Sequence, residues 1–138
     1  MLKKIYIVSM LCVSIIALPA WALDLKPGKY EITAKVEMPG MPGGMPAQTT
    51  IQCLTDQDPV PASSADAQGC KVTDMKTEGN ALTYTMTCEQ QGMTIKSSGK
   101  ITYNGDTFEG TNQTHMGPEA GNMTITTLIS GKRIGKCD

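Results

Sequence analysis

Histidine occurs once in this chain, at His115, and aromatic side chains make up only 4% of it. A single imidazole leaves a Ser-His-Asp or Cys-His mechanism no choice of base. No G-x-S-x-G elbow is present, and no Gly-rich stretch has the spacing of a phosphate cradle. Asp56 and Asp58 form the nearest thing to a carboxylate pair, and they read as cap and turn residues rather than as an acid and a base. Charge is equally spare. The 12 basic residues face 13 acidic ones with no basic run, which excludes a surface built for nucleic acid or an anionic membrane. C-x-x-C pairs are missing too, and with them the usual thiolate metal site. The inventory points away from an enzyme.

Long apolar runs are absent except at the start. Lys3 and Lys4 precede an uncharged, mostly apolar stretch from Ile5 to Leu18, Pro19 breaks it, and Ala20-Trp21-Ala22 has the A-x-A form that signal peptidase cuts. The stretch is short for a membrane span, and no stop-transfer segment follows. Cys12 lies in mid-run behind Leu11, which does not suit a lipid-modified cysteine. The expectation is a signal peptide over residues 1–22, cleavage after Ala22, no membrane anchor, and a single β domain over 23–138 in the periplasm of a two-membrane bacterium.

Beyond that segment the aromatics are Tyr30, Tyr84, Tyr103 and Phe108. So thin a core calls for covalent help. Cys53, Cys70, Cys88 and Cys137 supply it: an even count in a small exported domain reads as two disulfides.

What the chain has in abundance is alternation. Tyr30, Ile32, Ala34, Val36 and Met38 share one parity, against Lys29, Glu31, Thr33, Lys35 and Glu37 on the other. That is a strand with one buried and one wet face. Leu82-Tyr84-Met86-Cys88 repeats the pattern, as do Met93-Ile95-Ser97-Gly99-Ile101-Tyr103 and Met123-Ile125-Thr127-Ile129. Residues 49–54 and 70–76 are strands of less clean parity, with a bulge expected near Asp74. Asn104-Gly105 reads as a type I′ turn, and Gly79-Asn80, Gln91-Gly92 and Gly117-Pro118 as further turns. Thr55 to Ala67 could hold one short helical turn capped by Thr55. The fold class is all-β: an antiparallel meander of about seven strands, barrel-like or a sandwich.

Strand direction bears on the disulfides. Cys70 opens a strand and Cys88 closes the next, so the two face each other across a hairpin. Three further antiparallel passes carry Cys137 to the other end of the sheet. Cys70–Cys88 with Cys53–Cys137 is therefore favoured, and Cys53–Cys70 with Cys88–Cys137 stays open if Gly131 or Gly135 bends the last segment back.

Methionine is the anomaly. Of the 10 in the chain, three crowd Met38-Pro39-Gly40-Met41-Pro42-Gly43-Gly44-Met45. The first reading is a hairpin loop in which Pro and Gly fix the geometry. The second is a copper site, because thioether sulfur suits Cu(I) in an oxidising compartment, with Met38, Met41, Met45, His115 and Met116 as ligands. Met75, Met86, Met93 and Met123 read as core filler.

Several segments, in order, carry a resemblance. They are Pro27-Gly28-Lys29-Tyr30-Glu31, Met38-Pro39-Gly40-Met41-Pro42, Gln52-Cys53-Leu54-Thr55, Cys70-Lys71-Val72, the Thr-rich strand ending in Cys88, Ile101-Thr102-Tyr103-Asn104-Gly105-Asp106 and Lys132-Arg133-Ile134-Gly135-Lys136-Cys137. Together these resemble the bacterial domain-of-unknown-function family thirty-six seventeen. Tyr30 departs from it, since Trp is more usual there. The resemblance implies an exported protein and carries no activity with it. The functional expectation is a non-enzymatic periplasmic binding or interaction protein. Its partner would be another protein, or a small apolar ligand in the mouth of a β-barrel.

Overall fold

The computed structural model describes residues 23–61 and 69–138. The signal-peptide reading of 1–22, Cys12 included, falls outside them. Seven strands account for most of the described chain: β1 (Gly28–Glu37), β2 (Gln48–Leu54), β3 (Cys70–Glu78), β4 (Ala81–Gln90), β5 (Met93–Asn104), β6 (Thr107–His115) and β7 (Thr124–Gly135). They form one antiparallel sheet in the order β2-β1-β7-β6-β5-β4-β3. β3 to β7 is a plain meander, and the β1–β2 hairpin then joins its far side through β1 and β7. The sheet is not closed, and β2 and β3 are its two edges. It is neither a completed barrel nor a pair of stacked sheets. It is curled, however, because side chains from six of its strands line one hollow.

The alternating stripes set the inner face. Tyr30, Ile32, Leu54, Leu82, Tyr84, Ile101, Tyr103 and Phe108 are all buried on it. Burying each large side chain contributes about 1.5–3 kcal/mol. Three rings pack in a row, with Tyr30 to Phe108 centroids at 5.7 Å and Tyr103 to Phe108 at 5.4 Å. Two rings lie over glycines in the paired strand: Tyr84 covers Gly99, and Phe108 covers Gly131. A side chain at either glycine would collide with the ring, so these glycines let few aromatics fill a wide sheet.

One end of the curl is sealed. The segment after β2 turns inward so that Pro59, Val60 and Pro61 are buried, and Tyr103 donates its hydroxyl proton to the Pro59 carbonyl. Leu25 bridges to Gly105, and the Tyr30 hydroxyl lies 2.8 Å from the Lys26 carbonyl and 3.0 Å from that of Gly105. Arg133 donates from Nε to the Pro27 carbonyl at 3.0 Å. Cys53–Cys137 closes the same end, and Cys70–Cys88 lies toward the other; this is the pairing that strand direction favours.

Several local expectations need correction. Thr55 does cap a turn, its Oγ1 accepting from the Asp58 amide at 3.1 Å, but no helix follows through Pro61, and residues 62–68 are outside the description. The one helical element among the described residues is a 3-10 turn at Pro118–Ala120, where only a turn was expected. Asn104 stays in the ladder opposite Thr107, so the central residues of that turn are Gly105 and Asp106. Only Gly105 has positive φ, at 69°, which is the requirement of a type II′ turn rather than I′. The I′ pattern occurs instead at Gln91 and Gly92, with φ of 49° and 79°. The bulge expected near Asp74 is present, at Thr73.

Candidate functional site

Toward the open end the inner stripes change character. Read from the sealed end outward, β6 runs Phe108, Gly110, Asn112, Thr114, and β5 runs Tyr103, Ile101, Gly99, Ser97. On β7, Ile129 gives way to Thr127, and on β2, Leu54 and Gln52 give way to Thr50 and Gln48. The aromatic half fills itself. The half lined by short polar side chains does not, and a cleft of about 390 Å³ remains.

Gln48, Thr50, Ser97, Asn112, Thr114 and Thr127 supply its polar wall, and Tyr84, Met86 and Ile129 its apolar floor. Among the described residues no charged side chain lines it. Ser97 is buried to 6% exposure although it is polar. Asn112 is set between Gly99 on β5 and Thr127 on β7, and its Oδ1 is buried with no hydrogen-bond partner among the described residues. A buried amide oxygen left without a donor costs roughly 1–3 kcal/mol, and most native structures avoid it. Burial also pushes the Tyr84 hydroxyl up to about 12, and Tyr103 higher still for the same main reason. Both remain neutral hydroxyls at any physiological pH. The described lining can therefore offer hydroxyls, amides and apolar surface.

A larger hollow of about 510 Å³ lies on the outer face between Lys35, Lys100, Glu109 and Leu128. It is open to solvent and flanked by charged side chains on a wet strand face.

The expected copper ligands all lie at the open end, on the β1–β2 loop and at the end of β6. Met38, Met41 and Met45 share the β1–β2 loop, where the Met41 amide donates to the Met38 carbonyl at 3.3 Å and the Met45 amide to Val36 at 3.0 Å. His115 has outward parity on β6, is exposed, and its Nδ1 lies 3.1 Å from the Thr124 hydroxyl. Met116, the next residue, has inward parity. Among the described residues no three His, Cys, Asp or Glu side chains come close enough to hold a metal. The core-filler reading holds for Met86 alone, since Met75, Met93 and Met123 are exposed.

Sequence reasoning did not single out Asn112, Thr114 or Thr127, and it met Ser97 only as a weak point in its strand's apolar stripe. The available signal was their inward parity: a polar residue on a stripe that otherwise buries apolar ones. No described helix is long and apolar enough to cross a membrane. No curated protein and no solved structure matches the chain. One family model matches, over residues 25–137, and the chain belongs to that family, described as protein of unknown function (DUF3617).

Proposed function

We propose that this protein is a non-enzymatic binding module of the periplasm that holds a small uncharged molecule in the cleft of its curled sheet. The observation that carries this reading is the buried Asn112 Oδ1 in the cleft wall, which has no hydrogen-bond partner among the described residues. An empty protein gains nothing from it, whereas a ligand with an N–H or O–H donor would satisfy it. The uncharged lining among the described residues argues for a neutral ligand, and the floor of Tyr84, Met86 and Ile129 for one with an apolar body. His115, the one histidine, stands on the opposite face of the sheet, and all four cysteines beyond the leader are joined in disulfides, which supports binding rather than catalysis.

Native mass spectrometry of the protein purified from its own periplasm tests this. A small neutral adduct should be present on the wild type and lost from Asn112→Leu. A wild type that carries none, or a variant that carries the same one, overturns the reading. The compartment has its own check: N-terminal sequencing should give Leu23, and either a retained Met1 or a lipid-modified Cys12 would refute it.

A further inference from the structure

We infer that Met93, Met116 and Met123 form a three-thioether site for Cu(I) at the open rim of the sheet. All three continue the inner parity of their strands past the cleft. Met93 is the first residue of β5, Met116 follows β6, and Met123 precedes β7. The β6–β7 register, which pairs His115 with Thr124, sets Met116 opposite Met123, and the Met116 amide donates to the Met123 carbonyl at 2.9 Å. Opposed residues in an antiparallel pair carry their side chains on the same face with Cβ atoms about 5 Å apart. On the other flank of β6, Met93 and Met116 line one hollow of about 450 Å³. The triad thus spans three adjacent strands, centred on Met116.

The chemistry fits a soft monovalent cation. A thioether is a neutral, polarisable donor on a chain with three rotatable bonds, so three of them can close around one ion without strain. Cu(I) accepts such ligands, whereas Zn(II) needs thiolate, imidazole or carboxylate in number. Three neutral sulfurs leave the positive charge uncompensated, and the carboxylate of Glu119 lines the same hollow. Exposure supports the same view: Met93 is 45% exposed and Met123 44%, at positions where the inner stripe elsewhere buries its side chains. This set shares only Met116 with the one expected from sequence. It excludes His115, which faces the other way, and the Met38 loop, which lies beyond β1. It is independent of what occupies the cleft.

The test titrates the full exported chain with Cu(I), kept reduced under ascorbate without oxygen, against a chromogenic Cu(I) chelator. One equivalent should bind. Met116→Leu should weaken binding at least tenfold, and Met93→Leu with Met116→Leu and Met123→Leu should abolish it. Met38→Leu with Met41→Leu and Met45→Leu should leave it unchanged. Leucine keeps the apolar volume, so the fold should persist. A second measurement needs no variant: in methyl-labelled wild type, Ag(I) as a redox-inert stand-in should shift the methyl signals of Met93, Met116 and Met123 alone. Wild type that binds no Cu(I), a Met93/Met116/Met123 variant that binds as wild type does, or Ag(I) shifts centred on Met41 and Met45 would each overturn the site.

Discussion

Asn112 does not serve the stability of the empty fold. Its buried oxygen finds no donor among the described residues, and a leucine of similar size would remove the penalty and add apolar contact with the cleft floor. Asn112→Leu should therefore raise the melting temperature of ligand-free protein, by the equivalent of about 1 kcal/mol, while ligand binding falls; calorimetry on protein stripped of ligand by unfolding and refolding reads the first effect. A second prediction concerns alkali. Tyr84 and Tyr103 titrate near 10 when unfolded and higher when folded, Tyr84 at about 12. The folded chain holds these protons more tightly, so their contribution is complete below about pH 10 and fades as pH rises through the folded values. For Tyr84 it amounts to about 3 kcal/mol. Denaturant midpoints should be flat up to about pH 10 and fall above it, with a shallower fall in Tyr84→Phe.

At the scale of the strand, the sequence was most readable where one face is wet and the other dry. The β1 alternation could be read residue by residue because Lys29, Glu31 and Lys35 mark the solvent face unambiguously. The turns were harder. Asn104-Gly105 looks like the centre of a hairpin, yet its true frame depends on which residue leaves the ladder, and that is set by the pairing of Asn104 with Thr107. The cleft was harder again, since inward parity does not say whether a neighbour covers the side chain. Met93 and Met86 alternate identically, and only Met86 lies deep enough in the curl to be covered. The two edges also differ in a way parity cannot express. β3 carries Lys71, Asp74, Lys76 and Glu78 and a bulge at Thr73, all of which deter a further strand. β2 reads Gln48-Thr49-Thr50-Ile51-Gln52-Cys53-Leu54, without charge or proline, and Ile51 is 61% exposed. Ile51→Lys should reduce self-association at high concentration while leaving the melting temperature within error, as dynamic light scattering and calorimetry together would show.

For the whole molecule, the order of strands matters more than any one of them. The Cys53–Cys137 bond joins the edge hairpin to the end of the chain across 84 residues. On the chain-entropy account, closing so long a loop stabilises by about 4 kcal/mol. Cys53→Ser with Cys137→Ser should lower the unfolding free energy by several kcal/mol, and by more than Cys70→Ser with Cys88→Ser, whose loop spans only 18 residues. Chemical denaturation of the two double variants would decide the ranking. The same connectivity has a consequence in time. A polypeptide appears N-terminus first, and β3 to β6 can zip together as each hairpin arrives. β1 cannot settle in that way, because its second flank is supplied by β7, which pairs Tyr30 with Arg133. Until β7 is delivered, the opening hairpin waits with one side bare, and its outer rim is the uncharged β2. Contacts so distant along the chain form slowly. The most vulnerable moment of this protein's life is therefore the interval just before its last strand arrives, when a passing chaperone would find its first two strands unclaimed.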